Sequence, residues 1–342
     1  MMHIRKVFIH NSLLENRILF ISSIVTDLPK HFKQDFMKNY ITSLTALLIV
    51  SLITVSCSSP ESGTVDEIAW DAGLDSTDVI MSIDGFSGPE AVRYDPGQDV
   101  YFVANFNGDA SGDANGFISR VTADGTIDSL RFMTGTEEFP LHGPRGMYIT
   151  ADTLWAADAD GIHGFNRLTG EQVRFIDFTN FVPGFLNDIT QDSDGILYVT
   201  DTGNSVLYQI EEGVPSIRVN SLPSPPNGVA TDSSGMIVLA PWGGGQVFYA
   251  LDDESSGVTE YAAAKSGGNF DGVEFIDGYL LASSQADSSL HAINGDDDHI
   301  FIHTPGRGAD IGIDTQRRRV AVPYIALNRV DIWELPPAAA QD

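Results

Sequence analysis

Five polar residues recur at one position of a repeated sequence pattern, and four of them carry side chains that can ligate a metal ion. When six similar segments are aligned, this position holds Glu90, Arg145, Asn187, Asn227, Asp271 and Ala309. The successive intervals are 55, 42, 40, 44 and 38 residues. Two carboxylates and two amide carbonyls facing a common axis would form an all-oxygen site, which suits Ca²⁺ or another hard divalent cation. The aligned position offers no cluster of imidazoles or thiolates, which zinc or copper would prefer.

The segments that carry these residues share the pattern of paired β-strands. Each begins with a strand of alternating apolar residues, continues through a turn rich in Asp, Ser and Gly, and ends in a strand of β-branched and aromatic residues. Further strands are predicted at 204–210, 246–251, 289–293 and 329–335. A unit of about 40 residues is typical of one four-stranded blade of a β-propeller.

The repeats predict an all-β fold, a six-bladed β-propeller over residues 78–335. The last unit ends after three strands, at Leu335, so a strand around Val79 to Ile83 is expected to supply the fourth and close the ring. The first strand of each blade of a propeller lines the central channel. The aligned position therefore predicts a ring of side chains at one mouth of that channel.

The segment before the propeller has the features of an export signal. Residues 1–36 show no clear periodicity, and we interpret them as preceding the true start at Met37. Lys38 and the apolar run 41–55 then resemble the first two regions of a bacterial signal peptide. The apolar run is short for a spanning helix, which needs about 20 residues.

Cys57, the only cysteine in the chain, directly follows this apolar run. The arrangement resembles a lipoprotein signal over 37–56, in which Cys57 is acylated and becomes the mature N-terminus, although Thr54 stands where Leu is usual. A plain signal peptide or a transmembrane anchor is the alternative. We expect a protein of the bacterial cell envelope, periplasmic or outward-facing, with a lipid anchor, a tether over 57–77 and a short tail over 336–342.

The charge of the chain excludes one class of partner. The formal net charge is −28. A surface this acidic repels phosphate backbones, which argues against nucleic-acid binding. A single cysteine also excludes an intramolecular disulfide and a cysteine-based zinc site. We expect a monomer whose contact with the membrane is made only through the anchor.

The motifs around the aligned position resemble those of the regucalcin/gluconolactonase family, which is related to paraoxonases and strictosidine synthases. Glu90 lies in PEAVRYD, where the usual Glu-Gly-Pro is replaced by Glu-Ala-Val. Asn187 in LNDI, Asn227 in PNGV and Asp271 in FDGV match the other metal-binding positions. The resemblance implies a channel metal held by these four residues and hydrolysis of a small lactone or ester. The metal would polarise the carbonyl group, and Asp271, or a water that it orients, would be the general base.

Two further residues are candidates for a catalytic role beside Asp271. Arg145 would place a guanidinium group in the same mouth, where it binds a substrate anion or neutralises the two carboxylates. His142 is the nearest histidine and would shuttle protons, or it is an exposed loop residue. Asp188 and Asp310 follow the aligned position and would support the ligands or be solvated strand ends. Trp242 would form a wall of the pocket or pack inside a blade.

The sequence leaves two functions open. The first is a metal-dependent hydrolase of small lactones or esters. The second is a non-catalytic propeller of the NHL type, in which the metal is structural or absent and the faces bind a protein or glycan. Separately, the alternative for Asn227 and Asp271 is that they are strand-entry turn residues with no ligand role. The fold alone does not separate the two functions, because propellers host both.

Overall fold

The computed structural model describes residues 70, 73–110, 112–252 and 257–337. The predicted signal and the candidate lipidation site Cys57 lie outside them. Within the described part of the chain, no helix has the length and hydropathy that a membrane span requires.

The structure is a six-bladed β-propeller, as the repeats predict. Each blade is a four-stranded antiparallel sheet. Blade 1 contains β2 (Pro89–Asp95), β3 (Val100–Asn105), β4 (Phe117–Thr122) and β5 (Ile127–Met133). Blade 2 contains β6 (Met147–Thr150), β7 (Thr153–Ala157), β8 (Gly161–Asn166) and β9 (Gln172–Asp177). Blade 3 contains β10 (Leu186–Gln191), β11 (Leu197–Asp201), β12 (Val206–Glu211) and β13 (Val214–Val219).

The second half of the propeller repeats this arrangement. Blade 4 contains β14 (Pro226–Thr231), β15 (Ile237–Pro241), β16 (Val247–Leu251) and β17 (Val258–Ala263). Blade 5 contains β18 (Phe270–Ile276), β19 (Tyr279–Ser284), β20 (Ser289–Asn294) and β21 (Asp297–His303). Blade 6 contains β22 (Gly312–Asp314), β23 (Arg319–Tyr324), β24 (Arg329–Glu334) and β1 (Met81–Asp84). Short 3-10 helices span Thr179–Phe181 and Ile325–Leu327.

The turn between the first two strands of several blades is fixed by an aspartate. The Oδ1 atom of Asp192 accepts hydrogen bonds from the backbone N–H groups of Asp194 and Ile196, both at 2.9 Å. Asp232 makes the same pair of contacts in blade 4, with Ser234 and Met236. An aspartate that satisfies the backbone two residues ahead favours a tight turn. These aspartates are therefore structural.

The hydrophobic core is divided among the junctions between blades. One cluster joins blades 1 and 2 and contains Phe102, Met147 and Phe165, all fully buried. Comparable clusters lie at the other junctions, for example Phe248 and Phe270 between blades 4 and 5. The alternation along each strand produces this arrangement, because successive side chains point to opposite faces of a blade.

The innermost strands approach each other so closely that glycine is required beside the aligned position. The N–H of Gly146 donates to the carbonyl of Asn187 at 2.9 Å, which links blades 2 and 3. A Cβ atom at Gly228 would lie 2.2 Å from the carbonyl oxygen of Asp271. Gly146 and Gly228 both directly follow the aligned position in their blades. Their lack of a side chain lets the ring of polar residues contract around the axis.

The chain closes the ring as the sequence predicts. Strand β1 pairs antiparallel with β24, with Met81 opposite Ile332 and Asp84 opposite Arg329. The closing strand begins two residues later than the expected segment around Val79. Because β1 covers the outer edge of blade 6, the last sheet has its four strands.

The segment predicted as a tether is partly packed onto the propeller. Trp70 is 1% exposed, and its ring centroid lies 4.9 Å from that of Phe301 and 5.2 Å from that of Tyr279. Leu74 forms a parallel bridge with Ile302 in β21. An indole and a leucine gain more from burial on blade 5 than from exposure in a flexible linker. Trp70 and Leu74 lie within the predicted tether, so part of that segment contacts the propeller.

Candidate functional site

Four side chains that the sequence predicts as metal ligands line one cavity. Glu90, Asn187, Asn227 and Asp271 are each the second residue of the innermost strand of their blade, β2, β10, β14 and β18. Each residue is only 3–4% exposed. They lie together in a cavity of about 380 Å³ at one end of the channel. Ala309, the apolar residue at the aligned position of blade 6, is fully buried.

Three oxygen atoms of this group are buried without a hydrogen-bond partner. They are Oε2 of Glu90, Oδ1 of Asn227 and Oδ1 of Asp271. A buried polar atom without a partner costs about 1–3 kcal/mol, so folded proteins rarely retain one without a reason. Two carboxylates and an amide with such oxygens form a donor set that fits a hard divalent cation. The residues present therefore fit the metal that the resemblance implies.

Neighbouring side chains hold two of these ligands in place. Nε2 of Gln285 donates to Oδ2 of Asp271 at 2.5 Å. Nδ2 of Asn187 donates to the hydroxyl of Thr202 at 3.0 Å, and that hydroxyl donates to the carbonyl of Pro226 at 2.6 Å. Because the Thr202 hydroxyl uses its hydrogen on Pro226, it must accept from Asn187, so the Asn187 amide turns its nitrogen toward Thr202 and its oxygen away. Positioning contacts of this kind are typical of metal sites.

The electrostatics of the cavity also favour a cation. Burial raises the pKa of Glu90 well above its ordinary value, and the charge of Asp271 adds to the shift while Arg145 opposes it. Burial raises the pKa of Asp271 to about 7, against the lowering effect of the hydrogen bond from Gln285. Both shifts report that the ionised forms lack enough compensating positive charge. A divalent ion would supply that charge.

A second layer of acidic groups lies behind the ligands. Burial raises the pKa of Asp188 to about 7 and that of Asp310 well above its ordinary value. Asp188 accepts hydrogen bonds from the N–H groups of Ile189 and Val229, whereas neither carboxylate oxygen of Asp310 has a partner. Both aspartates are buried, so they are not the solvated strand ends that the sequence left open.

Arg145 and His142 do not line the cavity. The Arg145 guanidinium donates to the carbonyls of Leu186 and Ala110 at 3.0 and 2.6 Å, and its Cζ lies 3.8 Å from the ring centroid of Phe185. Nδ1 of His142 accepts from the N–H of Ala114 at 3.1 Å. These contacts make Arg145 a buried tie between blades, and the catalytic role of both residues stays a prediction.

The structure adds a set of cavity residues that sequence reasoning largely missed. They occupy the first position after the second strand of their blades, namely Phe106 after β3, Trp242 after β15, Gln285 after β19 and Ile325 after β23. Phe185, directly before β10, joins them. Of the two roles considered for Trp242, the structure supports the pocket wall. These four residues form a second ring, which an alignment of the ends of the second strands in the sequence would reveal.

An additional Asp/Asp/His group lies in blade 2. One potential ligand atom from each of Asp158, Asp160 and His163 lies within 4.8 Å of the others. The two oxygens of Asp158, however, accept hydrogen bonds from the backbone N–H groups of His142 and Gly143 at 2.6 and 2.7 Å. Asp201 binds the equivalent N–H groups, those of Gly184 and Phe185, in blade 3. Because this contact repeats without a histidine, we interpret Asp158 as a structural tie of the blade.

The architecture is shared with solved structures. A gluconolactonase from Xanthomonas campestris is 17% identical with a TM-score of 0.56, over 74% of this chain and 88% of that chain. A streptogramin B lyase is 14% identical with a TM-score of 0.54, over 75% and 97%. Virginiamycin B lyase from Staphylococcus aureus is 14% identical with a TM-score of 0.52, over 76% and 89%.

At these identities the likeness establishes the fold. The chain is a six-bladed propeller of the architecture found in gluconolactonase-like proteins. No protein-family model matches the sequence. No curated protein matches it either.

Proposed function

We propose that the protein is a divalent-cation-dependent hydrolase of small lactones or esters. The observation that carries the proposal is the group of buried, unpartnered oxygens of Glu90, Asn227 and Asp271 in one cavity. The fold of a gluconolactonase supports the same activity. Ca²⁺, or another hard divalent cation, suits an all-oxygen donor set.

The four ligand side chains would hold the cation in the floor of the cavity. When bound, it would supply positive charge that polarises the substrate carbonyl and stabilises negative charge on its oxygen. Asp271 would accept the proton of the attacking water, whose oxygen bonds to the carbonyl carbon. The ring C–O bond then breaks, and the proton passes from Asp271 to the departing alkoxide oxygen. The product is a hydroxy acid, so atoms and charge balance.

Substitution of the ligands tests this proposal. Asp271→Asn preserves the shape of the side chain but removes a charge and the base, so it should weaken Ca²⁺ binding at least tenfold and abolish lactone hydrolysis. Glu90→Gln should weaken Ca²⁺ binding in the same way. Asp194→Asn, in a turn between β10 and β11, is the matched control and should change neither property. Calorimetry with Ca²⁺ and a pH-stat assay with lactones measure both.

The alternative function has a distinct outcome. If Asp271→Asn binds Ca²⁺ and hydrolyses lactones as fast as the parent protein, Asp271 is neither a ligand nor the base. If the parent protein hydrolyses no lactone or ester, the hydrolase proposal is wrong, and this is the result expected of a propeller that only binds a protein or glycan.

We also propose that the enzyme works outside a bacterial inner membrane, attached through Cys57. The support is the order of Lys38, the apolar run 41–55 and Cys57 in the sequence. Mass spectrometry of protein extracted from membranes should find a diacylglyceryl-modified Cys57 and no peptide from 1–56. A soluble form that retains residues 37–55 would contradict the proposal.

A further inference from the structure

The cavity above the ligand oxygens has an apolar wall. Four of its nine lining residues carry side chains that are hydrocarbon or almost so, namely Phe106, Phe185, Trp242 and Ile325. Among the described residues that line the cavity, apart from the four candidate ligands, only Gln285 and Trp242 carry a polar side-chain atom. The amide nitrogen of Gln285 already donates a hydrogen bond to Asp271. The wall therefore offers few partners for hydroxyl groups.

The wall is fixed rather than adaptable. The Cζ atom of Arg145 lies 3.8 Å from the ring centroid of Phe185 and 6.0 Å from that of Phe106, so one buried cation is within cation–π range of both rings. The backbone N–H of Phe106 donates to the carbonyl of Gly88 at 3.0 Å. That of Trp242 donates to the carbonyl of Pro225 at 2.8 Å. An aromatic surface held in this way favours apolar ligand groups without a large ordering cost.

Charge restricts the ligand further. None of the lining residues is basic, because the Arg145 guanidinium is directed to the carbonyls of Leu186 and Ala110. Two carboxylates, Glu90 and Asp271, lie in the floor. A bound divalent cation would neutralise these two charges and leave none to pair with an anionic substituent. An uncharged substrate fits this surrounding best.

We propose, building on the proposed hydrolase function, that the preferred substrate is an uncharged lactone with an alkyl or aryl substituent. Its carbonyl would face the oxygens of the floor, and its substituent would contact Phe106, Phe185, Trp242 and Ile325. A polyhydroxylated sugar lactone is a poorer substrate, because its hydroxyls would lose water against a wall that cannot replace those hydrogen bonds. The four wall residues are thus the determinants of specificity.

Three lactones with the same six-membered ring test this proposal. We expect kcat/KM, corrected for the uncatalysed rate, to rise from δ-hexalactone to δ-nonalactone by roughly thirtyfold to sixtyfold, which is about threefold to fourfold for each of the three added methylenes. Glucono-1,5-lactone should fall below both. Trp242→Ala should reduce the gain between the two alkyl lactones to less than tenfold. Leu168→Ala, at an exposed loop residue, is the control and should keep the full gain.

Binding provides a readout that does not depend on turnover. The lactam 6-butyl-2-piperidinone has the shape of δ-nonalactone but is not hydrolysed, and calorimetry should show at least tenfold tighter binding to the parent protein than to Trp242→Ala. Two results would contradict the apolar specificity without contradicting the hydrolase function. One is a higher kcat/KM for glucono-1,5-lactone than for the alkyl lactones, and the other is an unchanged increase in kcat/KM per methylene in Trp242→Ala. If the parent protein binds the lactam, Trp242→Ala does not, and no lactone is hydrolysed, the hydrolase function is wrong and the apolar ligand site is retained. If Trp242→Ala does not fold, the series of three lactones on the parent protein decides.

Discussion

Gln285 and Asp271 form the hydrogen bond that organises the floor of the cavity. Nε2 of Gln285 donates to Oδ2 of Asp271 at 2.5 Å, while Oδ1 of the same carboxylate is buried without a partner. One oxygen is therefore held by the protein, and the other is free for a cation or a proton. Gln285 is a positioning residue, because it acts through Asp271.

The first prediction follows from this contact. The hydrogen bond from Gln285 lowers the pKa of Asp271 and so opposes the effect of burial. If Asp271 is the general base, as proposed, Gln285→Leu should move the rising limb of the pH profile of kcat/KM to higher pH, because the base must lose its proton to act. The pH–rate profile measures this shift. Gln246→Ala, at an exposed glutamine, is the control, and an identical limb in the parent and Gln285→Leu would contradict the role of Gln285.

The second prediction couples pH, cation and stability. Without a cation, the folded-state pKa values of Glu90, Asp188, Asp271 and Asp310 lie above their ordinary values. Between pH 4 and about 7 the native state then binds more protons than the unfolded state, so stability should fall as pH rises through this range. In the proposed site Ca²⁺ would bind the ionised carboxylates, so it should stabilise the protein more at pH 8 than at pH 5.

Thermal melting at the two pH values, with Ca²⁺ or with a chelator, checks this coupling. At pH 8, a free Ca²⁺ concentration 100-fold above Kd should add about 2.7 kcal/mol to the free energy of unfolding. The gain should be smaller at pH 5 and largely absent in Asp271→Asn. Equal gains at both pH values would show that the cation binds elsewhere.

The third prediction separates two roles of Arg145. Its hydrogen bonds to Leu186 and Ala110, and its 1% exposure, indicate a structural tie. Arg145→Met should lower the free energy of unfolding by about 3 kcal/mol, because it leaves two carbonyls and the nearby carboxylates without their cation. Urea denaturation measures the loss. Unchanged stability with strongly reduced kcat would instead support the catalytic role.

The sequence predicted that the four candidate ligands lie together, because the cause of that placement is local. Each of Glu90, Asn187, Asn227 and Asp271 is fixed by its place in an innermost strand, and the two-residue period of a strand determines its direction. Contacts that depend on loops were not predictable in the same way. The burial of Arg145 depends on Phe185 and on the backbone at Ala110, and neither follows a repeat.

The packing of Trp70 in the N-terminal segment was not predicted for a related reason. The Ser/Glu/Gly-rich composition of residues 58–77 predicts a linker. Trp70 nevertheless packs on Phe301 and Tyr279, which lie more than 200 positions later in the sequence. The composition of the segment does not reveal this contact, because one aromatic side chain orders a linker only when it packs against residues that are distant in the sequence.

The last prediction concerns this packing and the closing strand beside it. Trp70→Ala should lower the free energy of unfolding by about 3–5 kcal/mol, the cost typical of removing a fully buried large aromatic side chain. Deletion of residues 78–84 should unfold the protein, because it removes β1 and exposes the face of blade 6 that Ile83 covers. Ile80→Ala, at a side chain that is 42% exposed, should change the free energy by less than about 0.5 kcal/mol. Chemical denaturation followed by circular dichroism measures all three. If Trp70→Ala melts like Ile80→Ala, the segment before the closing strand is a linker after all, and the propeller begins at β1.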